Sequence, residues 1–294
     1  MVQVMVPGSC GELVQGILDG VNFHITCPIS KYSIAAASMI KTAVVNVPDG
    51  LAKTEAAVKK VLEKVSICDG IEITVTSELP KGKGMASSTA DIAAALAATK
   101  ILLNQEVDAQ EIAKIALSIE PTDGVFFDKI VAFDHMHGLM LIEIGEAPPL
   151  EVIVLEPPES INTLDFNSRR DAVGKINKAL FREAYDMAAE GIRSGDIRLV
   201  GEAATMSSIL NQKVLLKPAL NDIIEACKTR GAVGVNVAHS GTVIGILVEL
   251  GFGNRLLEKI SHYIPRSWDA YVVKMINGGF KVLECGRKSY VVLR

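Results

Sequence analysis

The chain has 294 residues, of which 49% are hydrophobic and 22% charged, an ordinary foldable composition for one large domain or two of ordinary size. A formal charge of -4 leaves no basic footprint for nucleic acid, and no apolar run approaches the ~20 residues of a membrane span. The cysteines (Cys10, Cys27, Cys68, Cys227 and Cys285) are scattered without a C-x-x-C pair, which argues against a zinc site or disulfide framework and for reduced thiols in the cytoplasm.

The N-terminus lacks the basic segment and longer apolar run of a secretory signal. Gln3 to Val6 predicts a short strand broken at Pro7-Gly8, and Ser9 to Gly16 a turn into another strand. Strands are predicted at Phe23–Cys27, Tyr32–Ser38 and Ala43–Val47, then a helix over Thr54–Val65 with Ala57, Val58, Val61, Leu62 and Val65 on one face. Ile71–Thr76 alternates as a strand. Leu79–Asp91 is punctuated by Pro80, Gly82 and Gly84, and the alanine- and leucine-rich run Ile92–Leu103 predicts a helix with Ser87, Ser88 and Thr89 as N-cap candidates.

A third helix over Ala109–Ile119 ends at Pro121, with a turn at Thr122-Asp123-Gly124. Strands at 131–133 and 139–144 flank His135 and His137, which are expected on a solvent-facing hairpin because no third metal ligand is nearby. Pro148-Pro149 marks a domain boundary before the strand Val152–Leu155, giving units 1–149 and 150–294. Helices are predicted at 171–194, 197–212, 218–230 and 252–263, with Arg169-Arg170 as a solvated helix start, and strands at 234–237, 243–249, 269–275 and 280–284. The pattern is α+β in two lobes.

Strand, glycine loop and helix N-terminus together make a backbone cradle for an anion, because free N–H groups and the positive end of the helix dipole point into the loop. A tight turn into a core helix would also account for the glycines. Three adjacent hydroxyls and the lysines Lys81 and Lys83 suit phosphates and Mg²⁺, although solvated loop lysines are the plainer alternative. No Walker G-x-x-x-x-G-K-S/T occurs, and only the first two glycines of a dinucleotide fingerprint are present.

Pro80, then Gly84-Met85-Ala86-Ser87-Ser88-Thr89-Ala90, resembles the second signature of the GHMP kinase superfamily. Pro7 to Gly16 looks like its N-terminal motif, and Gly231 to Gly241 like its glycine-rich C-terminal motif. The three occur in order across nearly the whole chain. The wording of Gly8–Gly16, Lys81–Asp91, Glu120–Gly124 and Ala238–Gly241 is most similar to the L-threonine kinase branch that serves cobalamin synthesis. Ala86 stands where a glycine is usual, Ser9-Cys10-Gly11 differs from the sugar and isoprenoid kinases, and His239-Ser240 interrupts the third motif.

The resemblance implies the GHMP kinase fold, with an N-terminal lobe like ribosomal protein S5 domain 2 and a ferredoxin-like C-terminal lobe. It implies ATP as phosphate donor, held by Pro80, Lys81, Gly82, Lys83, Gly84, Met85, Ala86, Ser87, Ser88 and Thr89. L-threonine as acceptor would be held by Ser9, Cys10, Gly11, Glu12, Asp123, His239, Ser240 and Gly241. By themselves Glu120 and Asp123 read as a helix end and an Asx-type turn. The superfamily places acids there, which assigns Mg²⁺ to Ser88 and Glu120 and the substrate hydroxyl to Asp123, with the two acids' roles exchangeable. Glu12 is expected at the substrate ammonium or in a turn, and His239 without a direct catalytic role. Homoserine or another small alcohol is the alternative acceptor, and a non-catalytic nucleotide-binding regulator the alternative class. Oligomeric state stays open, a homodimer included.

Overall fold

The computed structural model describes residues 1–63, 65, 69–159 and 178–285. The chain begins with two long antiparallel strands, β1 (Val2–Leu18) and β2 (Val21–Ile40), joined by Asp19-Gly20, both at positive φ (51° and 86°). Asp-Gly is the sequence that a two-residue hairpin turn of this kind selects. The predicted break at Pro7-Gly8 does not end the strand. β1 runs on, and its register against β2 shifts at Pro7/Gly8, between Ser9 and Glu12, and between Glu12 and Val14. Bulges absorb the proline and glycines that would otherwise interrupt a ladder. The strand expected at Ala43–Val47 shrinks to β3 (Val45–Asn46).

There follow α1 (Ala52–Leu62), β4 (Gly70–Ser77), α2 (Ser87–Leu102), α3 (Ala109–Leu117), β5 (Ile130–Phe133), β6 (Leu141–Gly145) and β7 (Leu150–Glu156). The later described elements are α4 (Lys178–Ser194), α5 (Ile197–Asn211), α6 (Leu220–Lys228), β8 (Gly234–Val237), β9 (Ile244–Glu249), α7 (Gly253–Ile260), β10 (Asp269–Lys274) and β11 (Lys281–Cys285). A 3₁₀ turn, Ser261–Tyr263, takes up the end of the helix expected to reach 263. Cys68, Arg169-Arg170 and the first residues of the helix expected from 171 lie outside the described residues. No helix among the described residues is long and apolar enough to cross a membrane.

The strands form one sheet in the order β10-β7-β9-β8-β1-β2-β4-β3, with β11 on β1, β5 on β2 and β6 on β5. β1 is its hinge line. Its first residues pair with β11, and Glu12 pairs with Val237 of β8. The bulge at Ser9–Glu12 leaves carbonyls unpaired, and the buried Asn236 side chain of β8 donates to those of Cys10 and Glu12. The sheet therefore continues from the N-terminal strands into the C-terminal ones through the first motif.

Helix α2 packs across β1 and β2. It is buried all round, from Ile92 through Ala98, which explains its composition. Alanines let the strands approach on several sides, while Ile92 and Leu96 fill the space between and contribute about 1.5–3 kcal/mol each. A second core of Ile153, Leu155, Leu220, Ile223, Val235, Ile246, Leu256 and Ile260 gathers β7–β9 with α6 and α7.

Candidate active site

The segment between β4 and α2 arches over the two flanking motifs. Gly84 has φ of 81°, and a Cβ placed on it would lie 2.3 Å from the Ala238 Cβ. Gly241 is closer still, since a Cβ there would stand 2.2 Å from the Lys83 carbonyl oxygen. Hydrogen bonds hold that approach. Thr242 N–H (2.9 Å) and Val243 N–H (3.2 Å) donate to the Lys83 carbonyl. From the first motif, Gly11 N–H donates to the Gly84 carbonyl (3.2 Å) and Ser9 N–H to that of Met85 (3.0 Å). Three stretches far apart in sequence thus become one object, with the loop carbonyls turned back into the protein.

Ala86 is the N-cap of α2, in the left-handed region at φ 55°, and no side chain caps the helix. Ser87, Ser88 and Thr89, expected as caps, instead form the first helical turn. Their N–H groups have no partner within the helix, since its first bond runs from Ala90 N–H to the Ala86 carbonyl. The three residues line a cleft of about 460 Å³ together with Lys81, Gly82, Gly84, Met85, Ala86, Glu120, Asp123 and Ser240. A larger cavity, about 640 Å³, lies between α5, α6 and α7; of the signature residues only the start of the third motif, Gly231, Ala232 and Val233, reaches it, and none of the site's hydroxyls or acids does. The cleft, not the larger cavity, gathers the loop hydroxyls with Glu120 and Asp123.

Other expected site residues face elsewhere. Lys83 is buried, and its Nζ donates to the carbonyls of Pro157 and, at 2.8 Å, Glu159, away from the cleft. Lys81 stays exposed on the cleft rim, 3.3 Å from the Gly50 carbonyl. Ser9, Cys10, Glu12 and His239 are buried behind the loop, and Gly11 and Gly241 serve as close contacts beneath it.

The acids enter after α3. Ser88 Oγ donates to Glu120 Oε1, and Lys53 Nζ pairs with Glu120 Oε2. The Asp123 N–H reaches Thr89 Oγ1 (3.3 Å), which also accepts from Thr122 Oγ1 (3.2 Å). The first turn of α2 thereby fixes both acids. Burial raises the Asp123 carboxyl above the usual range, and the charges of Glu12 and Glu120 add to this while His24 opposes it. Asp91, a turn further along α2, is held by Ser33 Oγ at 2.6 Å. Burial raises it too, against that hydrogen bond and the charge of Lys81.

Behind Asp123 lies a polar cluster. Glu12 Oε2 accepts from the His239 N–H (2.9 Å) and contacts its Nδ1 (2.8 Å). Burial pushes Glu12 up, but the His239 hydrogen bonds and the charge of His24 bring it below its ordinary value. Burial lowers His239, with Glu12 opposing. Lys217, donating to the Ala238 carbonyl at 2.7 Å, is brought down by burial to about 8. His135 is not the solvent-facing residue expected: it stacks flat on His24, with ring centroids 3.5 Å apart, because β5 pairs with β2 there. His137 is exposed.

Glu12, His24 and Asp123 offer ligand atoms within 4.8 Å of one another, the one such group found among the described residues. Its imidazole suits a transition metal better than Mg²⁺, which takes oxygen ligands. Ser88 and Glu120 supply adjacent oxygens at the cleft wall, a donor set that fits Mg²⁺.

Sequence reasoning missed Lys53, Asp91 and His24. Asp91 carried a signal, an acid in the first turns of an otherwise apolar helix. Lys53 and His24 carried none, since strand and helix pattern say nothing about which neighbour they meet.

Residues 51–132 match the family of GHMP kinases N terminal domains and residues 188–265 that of GHMP kinases C terminal domains. The chain is 33% identical over 282 residues to the L-threonine kinase of Salmonella typhimurium, covering 94% of both chains. It is 33% identical over 250 residues to the L-threonine kinase of Citrobacter freundii, covering 85% of this chain and 87% of that one. The homoserine kinase structure from Cytophaga hutchinsonii superposes with a TM-score of 0.72 at 18% identity, covering 96% of this chain and 97% of that one. The loop and the third motif fall within the matched residues, and the chain belongs to the GHMP kinases.

Proposed function

We propose that this kinase transfers the γ-phosphoryl group of ATP to the side-chain hydroxyl of L-threonine, giving O-phospho-L-threonine for the aminopropanol linker of cobalamin. The observation that carries the threonine reading is the 33% identity to an L-threonine kinase along 94% of both chains. Free thiols at the buried Cys10, Cys27 and Cys227 support a reducing, cytoplasmic setting. We divide the chain at 149/150, the first unit carrying the loop and the second closing it from β8.

The triphosphate lies against the unpaired N–H groups of Ser87, Ser88 and Thr89, at the positive end of α2. Lys81 and Lys53 supply positive charge at the rim. Ser88 and Glu120 would hold Mg²⁺, and the ion would supply charge neutralisation for the transferred phosphoryl group. The Ser88–Glu120 contact supports giving Glu120 this task, and the attachment of Asp123 to Thr89 leaves Asp123 for the acceptor.

Asp123 orients the acceptor hydroxyl and takes its proton as the oxygen–phosphorus bond forms and ADP leaves. Burial makes this carboxylate a better base than an ordinary aspartate. Most of the rate comes from positioning and charge neutralisation, because phosphoryl transfer asks little covalent chemistry of the protein.

The test is ADP release from Mg-ATP with L-threonine, L-serine, L-homoserine and mevalonate offered separately. Turnover is expected with L-threonine above the others. ADP release with none of them overturns the kinase reading, and turnover with homoserine but not threonine overturns the acceptor.

A further inference from the structure

His24 has no part in the scheme above, yet its surroundings are unusual. It sits on β2 opposite Phe133, with 7% of its side chain exposed. Its Nδ1 stands 3.4 Å from Asp123 Oδ1 and 3.9 Å from Glu12 Oε1, and neither ring nitrogen has a hydrogen-bond partner among the described residues. One face lies on His135 at an interplanar angle of 9°. On the far side Glu12 is anchored twice by His239, whose Nε2 lies 3.4 Å from Ser207 Oγ.

Leaving a buried polar atom unbonded is unfavourable. Simple burial would favour an apolar residue here, as at the neighbouring Phe23 and Ile25. Instead the ring is held flat by a second ring, with its Nδ1 edge turned toward two carboxylates. Of the two, Asp123 is the nearer to Nδ1, and Glu12 is already engaged by His239. A contraction of a few tenths of an ångström turns the 3.4 Å approach into a hydrogen bond, and catalytic hydrogen bonds in empty sites are commonly longer than in the loaded enzyme.

We infer that His24 is a positioning residue for phosphoryl transfer: its Nδ1–H binds Asp123 Oδ1 when the acceptor is in place and aims Oδ2 at the acceptor hydroxyl. Glu12 and His135 fix the ring, and His239 fixes Glu12. The inference rests on the reading that Asp123 handles the acceptor. It gives the buried histidine and first-motif glutamate a task in the reaction without contact with substrate.

Asparagine and glutamine at position 24 separate this from a packing role. The Asn amide nitrogen falls near the position of Nδ1, and the Gln amide near Nε2. His24→Asn should keep kcat within about tenfold of wild type, while His24→Gln and His24→Phe lose on the order of 10²-fold, with KM for ATP unchanged in all three. Wild-type kcat in His24→Phe, or equal losses in the Asn and Gln variants, would overturn the inference while leaving the kinase reading intact. No turnover by the wild-type chain with any acceptor would instead remove the reading beneath.

A second measurement needs neither activity nor a folded His24 variant. In ¹⁵N-labelled protein the His24 Nδ1 resonance should move on Asp123→Asn and again when L-threonine is added to wild type with a non-hydrolysable ATP analogue. An unmoved resonance in both cases would also overturn it.

Discussion

The loop at 80–89 and the polar cluster behind it touch the same aspartate but are built in opposite ways. The loop works through backbone: N–H groups at a helix start, and glycines where three chains crowd together. The cluster works through side chains delivered by different strands and turns, with Glu12 from β1, His24 from β2, Asp123 after α3 and His239 after β8. A backbone site must be written locally, as a run of small residues, whereas a side-chain site can be scattered across the chain. The first leaves no room for added atoms where its chains crowd together. The second surrounds one carboxylate with titratable side chains, and in the proposed reaction the loop would hold the phosphates and the cluster would orient that carboxylate.

The comparison breaks most visibly at Asp123, where the two regions meet. Asp123→Asn should lower kcat by about 10²–10⁴-fold while ATP affinity, set by the loop, stays within a few-fold. Parallel loss of ATP binding in a nucleotide titration would mean that loop and cluster are not separable. Next comes the loop's crowding. Gly241→Ala puts a Cβ against the Lys83 carbonyl oxygen and should destabilise the fold by about 3 kcal/mol, read from the denaturant midpoint. A wild-type midpoint would mean that the close approach is not required.

Lys217 probes the cluster's electrostatics. Its folded-state pKa, near 8 against an ordinary 10.5, means the unfolded chain holds more protons between those values, so this lysine contributes stability that rises with pH through that window. Cys27 and Cys227, raised by burial, act in the opposite direction over the same alkaline range. The readout is therefore the difference from Lys217→Met. The wild type should gain on the order of 2–3 kcal/mol relative to the variant from pH 7.5 to pH 10.5. Parallel stability curves would place Lys217 in water. The smallest effect is expected at Ala86, whose φ of 55° strains an alanine. Ala86→Gly should raise stability by about 0.5–1 kcal/mol, the relief of strain exceeding the glycine's added chain entropy. A loss of stability would show that the alanine side chain matters more than its backbone.

The same division governs what could be read in the sequence. The loop, the helix after it and the ordered motifs were legible because each is a local pattern of glycine, hydroxyl or alanine. Ser87–Thr89 have the composition of caps, but Ala86 makes the turn. At Pro7-Gly8 a bulged strand and a broken one look alike until a partner strand is known. The Asp19-Gly20 turn was legible in principle, since its dipeptide specifies the hairpin. Lys83 was expected at phosphate, and only the return of 157–159 past the loop takes it elsewhere. His24 and His135 could not be paired, because their contact depends on the β2–β5 register, which two short apolar runs do not announce.

The most direct test of the account is a competition: equal concentrations of L-threonine and L-homoserine with Mg-ATP and the intact protein, with products resolved by ³¹P NMR. O-phospho-L-threonine should be the dominant phosphoester, formed in step with ADP. Dominant phosphohomoserine, or ADP without any phosphoester, would contradict it.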